Sequence, residues 1–313
     1  MFQTPGIHHV TAIAGDPQEN LDFYTNVLGL RLVKLTVNYD DPGTYHFYFG
    51  DGVGRPGTIM TTFPWPGAPR GRRGNGQVTS IAYPIARESL DYWSERLAAA
   101  GVDVQGPAER FGEQVLSFTD PHGLPFELIA VQERPDLEIW EGSPVPAPHQ
   151  LGPFHGVALS VRQRAATAEV LTWLGFERVG EEGERVRFRA RASLGAGIVD
   201  VLERPNDLPG TVSTGTVHHV AFRVKDAGEQ ERMRKELFAM GFIVSPVRDR
   251  TYFRSIYFRE PGGVLFEIAT DQPGFAVNEP IERLGTRLCL PEHLEPARRE
   301  LESILPPLQL PEK

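Results

Sequence analysis

Four of the nine histidines in this 313-residue chain form two His-His pairs, His8-His9 and His218-His219. Nine histidines placed at random would rarely give one such pair. Each pair opens a strand-like run, IHHVTAI at 7–13 and HHVAFRV at 218–224. A third run, VLFEIAT at 264–270, carries Glu267 among apolar neighbours. Imidazole nitrogen and carboxylate oxygen are ligands for divalent transition ions. Two imidazoles and one carboxylate, with coordination positions left open, form the set that non-haem Fe(II) oxygenases use. His9, His219 and Glu267 supply that set if the fold brings them together.

The elements that must do so repeat along the chain. TSIAYPI at 79–85 and HGVALSV at 155–161 resemble the two His-bearing runs, and each of the four begins a unit of roughly 65–75 residues. A helix-like stretch follows each run and stops at a glycine: Gly29, Gly101, Gly175 and Gly241. Three strand-like runs come next. In the fourth unit they are 242–246, 252–260 and 264–270, with Pro261-Gly262-Gly263 as a turn. Each unit therefore reads β-α-β-β-β, an α+β fold. The Pro/Gly-rich segment at 142–153 divides the chain into halves, 1–142 with modules one and two and 152–275 with modules three and four. A tail at 276–313 carries one expected helix over 291–305.

Aligned on their opening strands, the four units place His9, Ser80, Gly156 and His219 at one position and His8, Thr79, His155 and His218 just before it. The closing strands place Thr61, Glu127, Asp200 and Glu267 together. Strand alternation puts His219, Glu267, Ser255 and Tyr257 on a polar face and sends His218, and His8 by the same rule, towards the helices. One sheet of this kind cannot close around an ion, so two units must pair. Only module one with module four yields two imidazoles and a carboxylate. The expected architecture is two cup-shaped half-barrels, one from modules one and four holding the metal. Glu127 and Asp200 fall in a cup without imidazoles and read as structural.

These residues carry a resemblance over essentially the whole chain. IHHVTAI with VKLTVNYDDPGTYHFYFGDGVGRPGTIMTTFPW, and VHHVAFRV with DRTYFRSIYFREPGGVLFEIATDQPGF, resemble the vicinal oxygen chelate superfamily of glyoxalases, bleomycin resistance proteins and extradiol dioxygenases. Within it they are most similar to the hydroquinone ring-cleaving dioxygenases. The resemblance implies four βαβββ modules, Fe(II) on His9, His219 and Glu267 (a set that Mn, Ni or Zn would also occupy), and ring opening by O2. It implies pocket roles for His8, Thr11, His218, Arg250 and Tyr257. His218 or His8 suits proton transfer. Tyr257 suits holding or protonating the substrate oxygen, and Thr11 and Arg250 suit binding it. The catechol extradiol enzymes take their first histidine from module three. Here that position is Gly156, with His155 one residue out of register, which favours His9. Two other readings stand beside this one. A glyoxalase-like lyase or isomerase would need a second carboxylate where Thr61 stands, and an aromatic-ligand binding protein would need no triad.

Bulk properties bound the partners. A net charge of −9 argues against nucleic acid. The single cysteine, Cys289, excludes an internal disulfide and has no recognisable catalytic partner. No apolar run reaches membrane length and no signal pattern follows Met1, so cytoplasm is expected, with a small aromatic substrate and O2 as partners and no membrane. A homo-oligomer is compatible with the composition. His122 reads as a turn residue, and the strip Tyr45, Phe47, Tyr48 and Phe49 with Trp65 reads as core.

Overall fold

The computed structural model describes residues 2–193 and 195–311; Leu194, the first residue of the N-terminal half and the last two of the tail lie outside the described residues. The four opening strands are Ile7–Ala14, Gln77–Ala86, Gly156–Val161 and Thr216–Val224. Helices Pro17–Asp22 (continued by a π-helical turn, Phe23–Val27), Leu90–Ala99, Arg164–Leu174 and Ala227–Ala239 follow them. Asp16 and Asp226 cap the first and last by accepting from the Glu19 and Glu229 backbone N–H groups, which satisfies donors that no helical carbonyl can reach. All four stop glycines have positive φ. At Gly175, with φ 100°, a Cβ would also meet backbone, the Phe2 carbonyl oxygen at 2.5 Å.

Among the described residues, sixteen strands form two eight-stranded sheets. The first runs Arg248–Asp249, Arg254–Arg259, Leu265–Thr270, Thr216–Val224, Ile7–Ala14, Ile59–Pro64, Asp41–Gly50, Arg31–Asn38, so it joins module four to module one. The second joins module three to module two through Gly156–Val161 and Gln77–Ala86. Opening strands meet antiparallel at each seam, Val10 opposite Val220 and Ile81 opposite Val157. Every closing strand lies parallel to its own opening strand in one register: Thr11 with Thr61, Ala82 with Glu127, Ala158 with Asp200, Ala221 with Glu267. Apolar residues on the other strand faces, among them Val10, Phe47, Phe222 and Phe266, join the helices in a core that spans both sheets. Burial of each such side chain contributes about 1.5–3 kcal/mol. This is the α+β, two half-barrel architecture that the repeat predicts.

Two expected elements differ. Residues 242–246 form no regular strand; only a Val244–Phe258 bridge and the two-residue strand Arg248–Asp249 extend that edge. Pro246 has no N–H to give to a ladder. The expected helix over 291–305 is a 3-10 segment, Glu292–Ala297, followed by α-helix only over Arg298–Ile304. Pro296 removes a donor and disfavours α geometry in the residue before it. Upstream, the tail is fastened to module one by Lys34, whose buried ammonium meets the Glu279 carboxylate and, at 2.8 Å, Asn278 Oδ1.

The second cup is filled by its own ions. Arg187 donates to both oxygens of Asp200 (2.9 and 3.1 Å) and to Glu113 Oε2 (2.8 Å). Arg185 reaches Asp200 at 3.0 Å, Arg110 reaches Glu127 at 2.7 Å, and His155 Nε2 lies 3.3 Å from Glu113 Oε1. Glu127 and Asp200 are thus structural, with a guanidinium as their cation. Removing one partner of a buried pair leaves a desolvated charge. Arg187→Ala should therefore lower the unfolding free energy by about 3–5 kcal/mol in urea titrations. A loss under about 1 kcal/mol would mean that Arg185 alone neutralises Asp200.

Candidate metal centre and its pocket

The seam of the first sheet builds the centre. Ile7 opposes Phe222 and His9 opposes Ala221, so His8 is an extra residue; Thr11 opposes His219 and Ala12 opposes Val217, so His218 is another. Each His-His pair is therefore a β-bulge residue followed by a regular one. Thr79, at the same repeat position, is also skipped between Val78 and Ser80. The bulges override alternation. His218 lines the cavity rather than turning to the helices, and His8 lies against His9 and Phe253.

His9 Nε2 and His219 Nε2 are 3.2 Å apart, and Glu267 Oε2 lies 3.2 Å from the first and 2.8 Å from the second. Donors ~2.1 Å from an ion and at right angles to one another stand ~3.0 Å apart, so these three edges fit one face of an octahedron. All three residues are buried, and Oε2 makes no well-directed hydrogen bond despite its two close neighbours. His8 Nδ1 contacts His9 Nδ1 at 2.9 Å, and His218 Nδ1 contacts His219 Nδ1 at 2.7 Å. An Nδ1–H tautomer of His9 and of His219 donates to its neighbour and leaves both Nε2 lone pairs turned to the common point. The other carboxylate oxygen, Oε1, accepts from Ser255 Oγ. Burial works to raise the Glu267 carboxyl, but His9 and His219 beside it hold it well below the usual range. Burial lowers His219, and it pushes His218 down to about 3 with help from His219 and Arg259. The set is thus an ionised carboxylate with neutral imidazole at His219, the protonation state that a metal ion requires. These residues fit a divalent ion.

A cavity of about 190 Å³ opens onto this point. An engineered cavity of roughly 150 Å³ holds benzene, so one substituted ring fits. Tyr48, Phe63, Trp65 and Phe253 supply aromatic walls. Thr11, His46, His218, Arg250 and Tyr257 supply polar groups. Thr11 Oγ1 meets Thr61 Oγ1 at 3.0 Å. Arg250 Nε lies 3.3 Å from the Tyr257 hydroxyl, and Arg250 Nη2 pairs with Asp40 at 2.9 Å. Burial, with Glu267 nearby, raises the Tyr257 hydroxyl above its ordinary range, so it stays a donor.

Several sequence expectations change. His8 does not line the cavity; its bulge places it behind His9, where it can orient that ring. Tyr48 and Trp65, read as core, are cavity walls, whereas Tyr45, Phe47 and Phe49 are core. His122 does sit in a turn but is buried, 3.1 Å from Glu19. His155 is not part of the triad; it belongs to the ion-pair cluster of the second cup, beside Glu113. His46 and Phe253 were missed. Alternation along Asp41–Gly50 puts His46 and Tyr48 opposite the core residues Tyr45, Phe47 and Phe49, and that pattern would have found His46.

Two βαβββ modules sharing a buried His-His-Glu face define a metal-centre class of paired half-barrels. The chain belongs to the Glyoxalase/Bleomycin resistance protein/Dioxygenase superfamily, whose family model matches residues 6–128 and 154–268. It is 46% identical over 311 residues, 99% of this chain and 98% of the relative, to a Bacillus subtilis (strain 168) protein provisionally named ring-cleaving dioxygenase MhqO. It is 35% identical to the chlorohydroquinone/hydroquinone 1,2-dioxygenase of Sphingobium indicum, over 96% of this chain and 97% of that one. A crystal structure of a provisionally assigned dioxygenase from Bacillus subtilis superposes with a TM-score of 0.95 over all of both chains, at 46% identity. Glyoxalase I from Zea mays shares the fold alone, with a TM-score of 0.63 at 15% identity over 85% of this chain and 92% of that one. Among the described residues, no helix is long and apolar enough to cross a membrane.

Proposed function

We propose that the protein is an Fe(II)-dependent dioxygenase that opens a hydroquinone-type aromatic ring with O2. The observation that carries this reading is three donor atoms 2.8–3.2 Å apart, facing a cavity of ring size with aromatic walls. Names of full-length relatives point the same way: ring cleavage for one, and a hydroquinone substrate for another. His9, His219 and Glu267 would hold the ion. Bound there, Fe(II) would supply a redox centre between the ring and O2.

The chain's own residues do the rest. The aromatic walls seat the ring and exclude water, which holds both reactants in one orientation. Tyr257, kept protonated, donates to the substrate oxygen, and Arg250 steadies that hydroxyl. His218, a neutral imidazole at the cavity wall whose Nδ1 accepts from His219, carries its proton on Nε2 and can donate that N–H to a reactant oxygen. His8 orients His9. Thr11, hydrogen-bonded to Thr61, lines the cavity beside the seam. A lyase of the glyoxalase type is the weaker reading, because the fourth position is Thr61 and its hydroxyl is engaged by Thr11 and by His46.

The test is O2 uptake by protein loaded anaerobically with Fe(II), against a panel of hydroquinones and catechols. Para-hydroquinones should consume one O2 per ring opened, and simple catechols should react more slowly. Fast catechol cleavage without hydroquinone turnover would overturn the substrate assignment. No uptake with any phenol, from protein shown to contain Fe(II), would shift the weight to a lyase or a binding protein.

A further inference from the structure

His46 is the one cavity imidazole outside the two His-His pairs, and its setting repeats that of a module-four residue. Tyr257 stands opposite Glu267 in the sheet, and Tyr48 stands opposite Thr61 in the same way. Two residues before each tyrosine lie Ser255 and His46. Ser255 Oγ donates to the Glu267 carboxylate, and His46 Nε2 meets Thr61 Oγ1 at 2.8 Å. His46 thus occupies the module-one counterpart of the residue that supports the carboxylate. With threonine in the fourth position, there is no carboxylate for it to support.

The imidazole is rigidly placed. Its ring lies 4.0 Å from that of Tyr48 and 4.3 Å from that of Phe63, and Thr61 is itself held by Thr11. Nδ1 has no protein partner among the described residues, yet it is not sealed in as His8 Nε2 is. Arg250, another polar group of the cavity, already has its Nε with Tyr257 and its Nη2 with Asp40. His46 therefore offers a positioned, uncommitted nitrogen on the module-one wall, across from Tyr257 on the module-four wall.

We infer that His46 Nδ1 receives the second hydroxyl of a para-dihydroxylated ring, the one remote from His9, His219 and Glu267, and so determines specificity for hydroquinones. This rests on the ring-cleaving reading above. Burial and the Arg250 charge keep the imidazole neutral, with one donor and one acceptor nitrogen. If Thr61 donates to Nε2, then Nδ1–H donates to the substrate oxygen; if Nε2–H donates to Thr61, then Nδ1 accepts the substrate O–H. A phenolic hydroxyl serves in either direction, whereas a methyl or chloro substituent does not.

The test reads affinity as well as turnover. Fe(II)-loaded protein under anaerobic conditions is titrated with hydroquinone and with phenol, which lacks the second hydroxyl. His46→Phe should weaken hydroquinone binding about ten-fold, the upper range for one neutral hydrogen bond, and leave phenol binding unchanged. His46→Gln should recover most of the loss. Equal weakening of both ligands would assign His46 a packing role and overturn the inference, as would unchanged binding of both. Failure of the wild-type protein to cleave hydroquinone would count against the proposed function. It would leave the difference between the two ligands to be read from binding alone.

Discussion

Glu267→Ala protein, loaded anaerobically with Fe(II) and desalted, should retain no stoichiometric metal and show no measurable ring cleavage. Residues that only support a ligand already cost 10–100-fold in metal affinity or activity when removed, so a ligand should exceed ~10²-fold. The expectation is strong here because, among the described residues, Glu267 is the sole carboxylate that joins His9 and His219. Among the described residues, the only cluster of three metal-ligating side chains is His9, His219 and Glu267. Thr61 cannot substitute, being neutral and bonded on both sides. His9→Ala and His219→Ala should behave alike. His155→Ala is the control: it lies in the second cup beside Glu113, and metal content should be unchanged. Elemental analysis of each variant checks the set, with circular dichroism to show that the fold persists. If His155→Ala lost the metal and His9→Ala kept it, the centre would belong to the other sheet.

That centre was legible because repetition converts sequence into geometry. Four copies of one motif fix a common register, and the observed pairs Thr11–Thr61, Ala82–Glu127, Ala158–Asp200 and Ala221–Glu267 follow that register. The helix stops were legible because positive φ selects glycine. What lay beyond reach was set by long-range contacts. A bulge depends on the partner strand, so the turning of His8 and His218 away from the helix face could not be read from alternation within one strand. The Nδ1 contacts that orient His9 and His219 follow from those bulges. Arg187 reads as one more charged strand residue until Glu113 and Asp200 are brought to it from two other strands. Lys34 sits in a run that alternation alone would expose; Glu279, 245 residues away, allows its burial. His46 differs from these, because its signal was local. The aromatic residues around it were read as one strip, although the pleat divides them between core and cavity.

Tyr257→Phe should leave metal content intact and slow ring cleavage by about 10²–10⁴-fold. The substitution removes only a hydroxyl. Its ring packs edge-on against His219, with centroids 5.6 Å apart, and phenylalanine preserves that contact. Arg250 keeps its partner Asp40, so no cation is stranded, and the stability cost should be near ~1 kcal/mol. The hydroxyl itself is well placed for chemistry. Tyr257 stands opposite Glu267 in the sheet, and its hydroxyl is 3.3 Å from Arg250 Nε and kept protonated by burial and the Glu267 charge. Steady-state kinetics separates the roles. A fall in kcat at constant KM marks a proton or hydrogen bond needed only as the ring opens, whereas a rise in KM of about ten-fold at constant kcat marks a ground-state anchor. Arg250→Met should reproduce part of the Tyr257→Phe effect, since it removes the group that steadies the hydroxyl. In the double variant, Arg250→Met should then add little, because two residues acting through one hydroxyl are not additive. Unchanged kcat and KM in Tyr257→Phe would reduce Tyr257 to part of the cavity wall and leave the donor role to His218 Nε2–H.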